Sequence, residues 1–250
     1  MLRIFLFNLL LLSGLVHAHG GQEPTIVIEP ELSETVSTNS YTYRFQLFDT
    51  VKNKAVKEAD LEIANERILH FISYDPALKE FEHVHPTFDG TYWSVALNFP
   101  ASGKFWLWTQ GKITGGVEFS TPSRIEVLVH QPAWPAPPRL TDVRQGSDGT
   151  SKAVLGNQAL KAGRMAMLDL KFLRNDGSTP QITPYLGALA HVMAVTGDAD
   201  SLTHIHALNG SKPNEGMLHV TFPSKGFYRL WVQFMDGGVL KMVLLSVKVN

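Results

Sequence analysis

Apolar and polar positions alternate with a period of two along most of this chain. Tyr41 to Phe48 places Tyr43, Phe45 and Leu47 on one face, and a turn from Asp49 to Lys54 follows. Leu168 to Leu173 alternates likewise and runs into Arg174-Asn175-Asp176-Gly177. Ile125 to Val129 and Val239 to Val249 read as terminal strands. No segment long enough for a helix carries a convincing 3.6-residue period; Ala55 to Glu66 is expected to give at most a short helical turn.

The strand pattern occurs twice. Phe99-Pro-Ala-Ser-Gly103-Lys-Phe105-Trp-Leu107-Trp108-Thr-Gln110 matches Phe222-Pro-Ser-Lys-Gly226-Phe-Tyr228-Arg-Leu230-Trp231-Val-Gln233 in its Phe-Pro, Gly, Leu-Trp and Gln positions. Gln131-Pro-Ala-Trp-Pro-Ala-Pro-Pro138 reads as a semi-rigid linker between the copies. The expected fold is all-β: two tandem immunoglobulin-like antiparallel β-sandwiches, residues 19–130 and 139–250, joined by the Pro-rich linker 131–138. One continuous barrel or sandwich is the alternative, and the linker counts against it.

Two stretches within the copies share three histidines and no other residue. His70…His83-Val84-His85 overlays His191…His204-Ile205-His206 at an offset of 121 residues, and the rest of each 16-residue window differs in identity. A duplicated core keeps its apolar pattern, but packing gives no reason to keep only histidines. Side chains two apart on a strand share a face, so each His-x-His pair points one way. Asp75-Pro76 and Gly197-Asp198 are turn signals that fold His70 and His191 back beside their pairs. Depending on register, His70 then sits across from His83 or from His85. Three imidazoles on adjacent strands suit Cu(II) or Zn(II). The alternative is that they pin the hairpins through hydrogen bonds. Spacing alone leaves open whether the triads form two sites or converge on one interface. Unperturbed histidine titrates near pH 6.5, so metal binding is expected to fade below about pH 6.

Composition narrows the partners. The net charge of -1 argues against nucleic acid or an anionic membrane surface as partner. With no cysteine there is no disulfide and no thiolate ligand, which leaves histidine, methionine and carboxylate. Apart from Met1, every methionine lies in the second half: Met165, Met167, Met193, Met217, Met235 and Met242. Most are expected to fill core gaps; Met193 shares a strand face with His191 and is a weaker ligand candidate. His219 and His130 are read as structural or solvated, and Glu82 as pointing away from His83 and His85.

The first 18 residues read as a secretory signal: Arg3, an apolar run from Ile4 to Leu12 broken by Asn8, and Val16-His17-Ala18 as a cleavage site. The expected location is periplasmic or secreted, with no membrane span after cleavage. Cleavage there would expose His19, whose amine and ring can chelate copper, so a copper oxidase with a His19 brace is a further alternative. Otherwise no catalytic motif appears, and the chain is expected not to be an enzyme. The leading expectation is an extracytoplasmic copper- or zinc-binding protein for sequestration or delivery, with a metal ion and a metal-handling protein as its partners and no nucleic acid; the alternative is a protein-interaction module with structural histidines.

Leu69-His-Phe-Ile-Ser-Tyr-Asp-Pro-Ala-Leu-Lys-Glu-Phe-Glu-His-Val-His-Pro86, Tyr185-Leu-Gly-Ala-Leu-Ala-His191 and the Phe-Pro-x-x-Gly strands resemble a family of secreted bacterial proteins with repeated His…His-x-His sandwich domains. The resemblance covers most of residues 41–119 and 164–249. It implies an extracytoplasmic β-sandwich with a link to heavy-metal or copper handling, and it does not imply an enzyme. The chain departs from the pattern at Ala190 and at Ala207, where the first copy has Pro86; the second hairpin is therefore expected to be held differently.

Overall fold

The structure is a computed structural model that describes residues 25–31, 35–64, 66–129 and 139–250. The signal-like segment, His19, His130 and the linker 131–138 lie outside the described residues. The first repeat contains β1 (Ile26–Pro30), β2 (Thr35–Val36), β3 (Ser40–Asp49), β4 (Lys54–Val56), β5 (Leu61–Glu62) and β6 (Leu69–Tyr74). It continues with β7 (Phe81–Val84), β8 (Thr87–Phe88), β9 (Trp93–Asn98), β10 (Gly103–Ile113) and β11 (Glu118–Val127). The second repeat contains β12 (Gln145–Ser147), β13 (Ser151–Leu155), β14 (Met165–Arg174), β15 (Ile182–Thr183) and β16 (Ala190–Thr196). It closes with β17 (Leu202–Asn209), β18 (Glu215–Thr221), β19 (Gly226–Asp236) and β20 (Val239–Val249). The helical turn expected between Ala55 and Glu66 is a single 3₁₀ turn, Glu58–Asp60.

In the first repeat, a sheet ordered β1-β3-β9-β8 faces a sheet ordered β2-β11-β10-β6-β7. The alternation read from sequence sets the inner faces. Tyr43, Phe45 and Leu47 of β3 pack with Phe71, Phe105, Leu107 and Ile125 in one buried core. In the second repeat, Leu168, Leu170 and Phe172 of β14 pack with Val192, Leu230 and Val243. The chain is thus two tandem antiparallel β-sandwiches of immunoglobulin-like type.

The repeats differ at the strand after the second histidine pair. Pro86 has no N–H to give a ladder, so the first repeat splits there: β7 pairs with β6 in one sheet and β8 with β9 in the other. Ala207 has no such restriction. Strand β17 runs unbroken, pairing Ala190 to Ala207 on one side and Ala207 to Leu218 on the other, which joins the second repeat into one continuous nine-stranded ladder.

Strands β6 and β16 are buried at every position because each lies between two cores. Alternate residues Leu69 and Phe71 face the first repeat's interior, while Ile72 and Tyr74 face the second repeat. In β16, Val192 and Ala194 face inward, while Met193 and Val195 face the first repeat. A third apolar cluster therefore lies between the repeats, built from Ile72, Tyr74, Phe81, Trp108, Met193 and Trp231 among others. Phe81 and Trp231 stack with ring centroids 4.9 Å apart, and Tyr74 donates its hydroxyl to the Ala199 carbonyl at 2.9 Å. That contact fixes the faces that carry the histidines against each other.

Candidate metal centre

His70 and His191 occupy the same faces of β6 and β16 as the interface residues beside them, so both rings project into the contact between repeats. In the second repeat His191 pairs directly with His206, and His204 lies on the diagonal, opposite Met193. In the first, Phe71 pairs with Val84, and the next step of that register sets His70 opposite His85. Within each triad, one nitrogen from each ring lies within 4.8 Å of the others.

The triads also meet each other. Ring centroids of His70 and His204 are 5.4 Å apart, those of His83 and His204 5.5 Å, and those of His83 and His191 5.7 Å. The question left open by spacing is answered: all six rings converge on the interface between the repeats.

The hydrogen bonds repeat with the same atoms. His70 Nε2 lies 3.0 Å from the Ala64 carbonyl, and His191 Nε2 lies 3.0 Å from the Tyr185 carbonyl and 3.1 Å from that of Leu186. A carbonyl only accepts, so Nε2 of both rings carries the proton. A neutral ring has one proton, and Nδ1 of each is therefore a bare lone pair. His83 Nδ1 faces Gln233 Oε1 at 2.9 Å, and His204 Nδ1 faces Gln110 Oε1 at 2.9 Å. Gln110 donates its amide Nε2 to Ser120 Oγ at 2.9 Å, which turns its oxygen toward His204. An amide oxygen calls for N–H at each Nδ1, which leaves Nε2 of His83 and His204 bare as well.

The bare nitrogens meet. His70 Nδ1 is 3.0 Å from His83 Nε2, and His191 Nδ1 is 2.9 Å from His204 Nε2. Two lone pairs at that distance repel unless a cation lies between them. Beside each pair is a third nitrogen, His85 Nε2 or His206 Nε2, buried and without a hydrogen-bond partner among the described residues. An unpartnered buried polar atom costs about 1–3 kcal/mol. Metal–nitrogen bonds of about 2.0–2.1 Å put two ligand nitrogens roughly 2.9–3.4 Å apart for angles between square and tetrahedral. The donor set fits a metal ion, and the carbonyl and amide partners on the far nitrogens are the outer partners that orient metal-binding imidazoles.

Burial keeps the rings neutral. Loss of solvation, reinforced for His85 by the nearby Arg67 charge and neighbouring rings, holds His85 and His206 down to about 4 and His83 to about 3. The same cause lowers His70 and His191, and holds His204 well below the ordinary value. Burial therefore favours the unprotonated, ligand-ready form of these rings to more acidic pH than the ordinary histidine value. A cleft of about 790 Å³, lined by His83, His85, Arg67 and Tyr185, opens at one side of the cluster. Another, of about 450 Å³ and lined by His70, Gln110, His204 and His206, opens at the other.

Other candidates fall elsewhere. Met193 is fully buried and faces the interface, packed within the apolar cluster rather than in a triad. Glu82 points away from His83 and His85, as expected, and holds the backbone N–H of Asn98 at 3.3 Å. Asp75 accepts the backbone N–H groups of Ala77, Lys79 and Glu80 and so shapes the first hairpin turn; Thr196 Oγ1 accepts from Ser201 N in the second. Gln110 and Gln233 support these rings, a role whose signal in the sequence is their recurrence at one strand position of the two copies.

The sequence profile of a domain of unknown function, DUF8832, matches residues 29–127 and 145–250, and the chain belongs to that family. No curated protein matches the chain. Among solved structures, the chain is similar to a tetra-tandem repeat from the extending region of a large adhesion protein, at 8% identity and TM-score 0.29, over 91% of this chain and 50% of that one. The chain spans about half the length of that fragment. It is similar also to the titin Ig tandem domains A164-A165, at 11% identity and TM-score 0.22, over 86% and 91% of the two chains. A third likeness is to fibronectin(III)-like modules of Clostridium thermocellum CbhA, at 12% identity and TM-score 0.22, over 90% and 94%. Similarity this low carries no functional information.

Proposed function

We propose that this member of the DUF8832 family is a metal-binding protein that holds Cu(II) or Zn(II) in a paired six-histidine centre between its two sandwiches, for sequestration or delivery. One ion is held by His70, His83 and His85, and the other by His191, His204 and His206. The observation that supports this reading most is the pair of facing lone pairs in each triad, flanked by a buried nitrogen with no partner among the described residues. Each triad leaves coordination positions free for water or for a ligand exchanged with a donor or acceptor protein. The signal-like segment is the reason to place this work outside the cytoplasm, in the periplasm or secreted. Among the described residues no helix is long and apolar enough to cross a membrane. The reading assigns binding rather than catalysis.

A second reading has one observation in its favour. Gln233 reaches His83 and Gln110 reaches His204 across the interface, so the histidines can serve as pins that dock the repeats in an interaction module. That reading needs both glutamines turned to present N–H to the rings, and it gives His85 and His206 Nε2 nothing to do. A crystal soaked in Zn(II) or Cu(II) separates the two. Anomalous density inside both triads is the expected result; density confined to surface sites would contradict the metal reading.

A further inference from the structure

Strand β14 carries Met165 and Met167 on its outer face, 70% and 49% exposed, where methionines were expected to fill core gaps. The inward residues of the strand, Leu168, Leu170 and Phe172, are buried in the second core. The neighbouring strand β18 alternates in step: Gly216, Leu218 and Val220 are buried, His219 is exposed and Met217 half-buried. Register places Met167 directly opposite His219, with Met165 one step to one side and Met217 one step to the other. Direct cross-strand neighbours have Cβ atoms about 4.5–5.5 Å apart, and diagonal ones lie within reach of long side chains. Three thioethers and one imidazole therefore share one patch of open sheet, on the face of β14 and β18 opposite to the core.

Packing does not account for this patch. Core-facing Tyr43–Val95 in the first repeat corresponds to core-facing Leu168–Leu218 in the second. On that alignment the first-repeat counterparts of Met165, Met167, Met217 and His219 are Ser40, Thr42, Ser94 and Ala96. The same sandwich thus folds without sulfur or imidazole there. A thioether is a soft, uncharged donor that selects monovalent copper or silver over Zn(II) and other harder ions. Asp169, directly opposite Met217, adds a carboxylate beside these otherwise neutral donors.

We infer that this face is a second metal site, distinct from the histidine centre, that binds a soft monovalent ion of the Cu(I) class through Met167 and His219, with a thioether of Met165 or Met217 as third donor. The site is open to solvent and does not depend on the histidine centre. It points to copper as the metal this chain handles, since Zn(II) has little use for thioether ligands.

Silver(I), a redox-silent stand-in for Cu(I), tests it. The purified protein, labelled at the methionine methyl carbons, is titrated with Ag(I) and followed by NMR. The methyl signals of Met167 and of Met165 or Met217 are expected to shift saturably, while those of Met193, Met235 and Met242 hold still. The variants Met167→Leu and His219→Gln lie on the exposed face and leave the fold intact. Each is expected to weaken Ag(I) binding at these methyls by at least the roughly tenfold that even an outer-partner change costs. Methyl signals of Met165, Met167 and Met217 that stay in place, or a Met167→Leu variant whose remaining signals shift at the same Ag(I) concentration, would overturn the inference. Because the readout is at the β14 and β18 methyls, failure of the histidine centre to bind metal leaves it unaffected.

Discussion

Gln233 of the second repeat meets His83 of the first at 2.9 Å, and Gln110 of the first meets His204 of the second at the same distance. Each triad is thus oriented by the other repeat. Replacing either glutamine by leucine removes the acceptor that holds the far nitrogen of one ring. Gln233→Leu is expected to weaken metal binding by about 10–100-fold, the usual effect of losing such a partner. Competition titration against a chelator measures it, and unchanged affinity would detach the glutamines from the site.

His85 and His206 separate ligation from pinning. Neither Nε2 has a hydrogen-bond partner among the described residues, so replacing its ring by leucine breaks none of their bonds at that atom. His85→Leu and His206→Leu are expected to leave the metal-free melting temperature unchanged or raise it, because a buried polar atom without a partner is destabilising. Metal affinity is expected to drop. A clear fall in metal-free stability would favour the pinning role instead.

Acid should destabilise the metal-free protein in a defined window. The unfolded rings titrate near 6.5, whereas in the fold His85 and His206 are held at about 4 and His83 at about 3. Between those values the unfolded chain binds more protons than the folded one, so stability falls as pH falls. The contribution is fully present above about pH 6.5 and is lost progressively toward pH 3–4. Urea unfolding of metal-free protein between pH 7 and 4 reads this, and the slope should flatten in a variant lacking the three rings. Metal should be retained at pH 5, where free imidazole is largely protonated.

The difference between Pro86 and Ala207 makes a separate prediction. Ala207 is paired on both sides, to Ala190 and to Leu218. Ala207→Pro should divide β17 as Pro86 divides its counterpart, removing a ladder hydrogen bond at a cost of about 1–3 kcal/mol for the buried group left without its partner. Denaturant unfolding checks the loss, and a loss near zero would mean that the continuous ladder adds nothing to the second repeat's stability.

Much of this was legible in the sequence. Alternation at Tyr43, Phe45 and Leu47, and at Leu168 and Leu170, gave the inner faces, and the doubled spacing of His70, His83 and His85 picked out the triads. The docking of the repeats was not legible, because β6 and β16 are buried on both faces and a continuous apolar run does not say which face meets which neighbour. The roles of Gln110 and Gln233 depend on that docking, so their recurrence stayed without a reason. Met165 and Met167 were misread for a related cause: composition places methionine inside, and only the register with β18 shows them outside.

The most direct test is metal stoichiometry by native mass spectrometry, with affinity by calorimetry, on the protein and on a variant carrying both His85→Leu and His206→Leu. The paired centre predicts two Cu(II) or Zn(II) ions per chain and a marked loss of both in the double variant. No bound metal, or equal binding by the double variant, would contradict it.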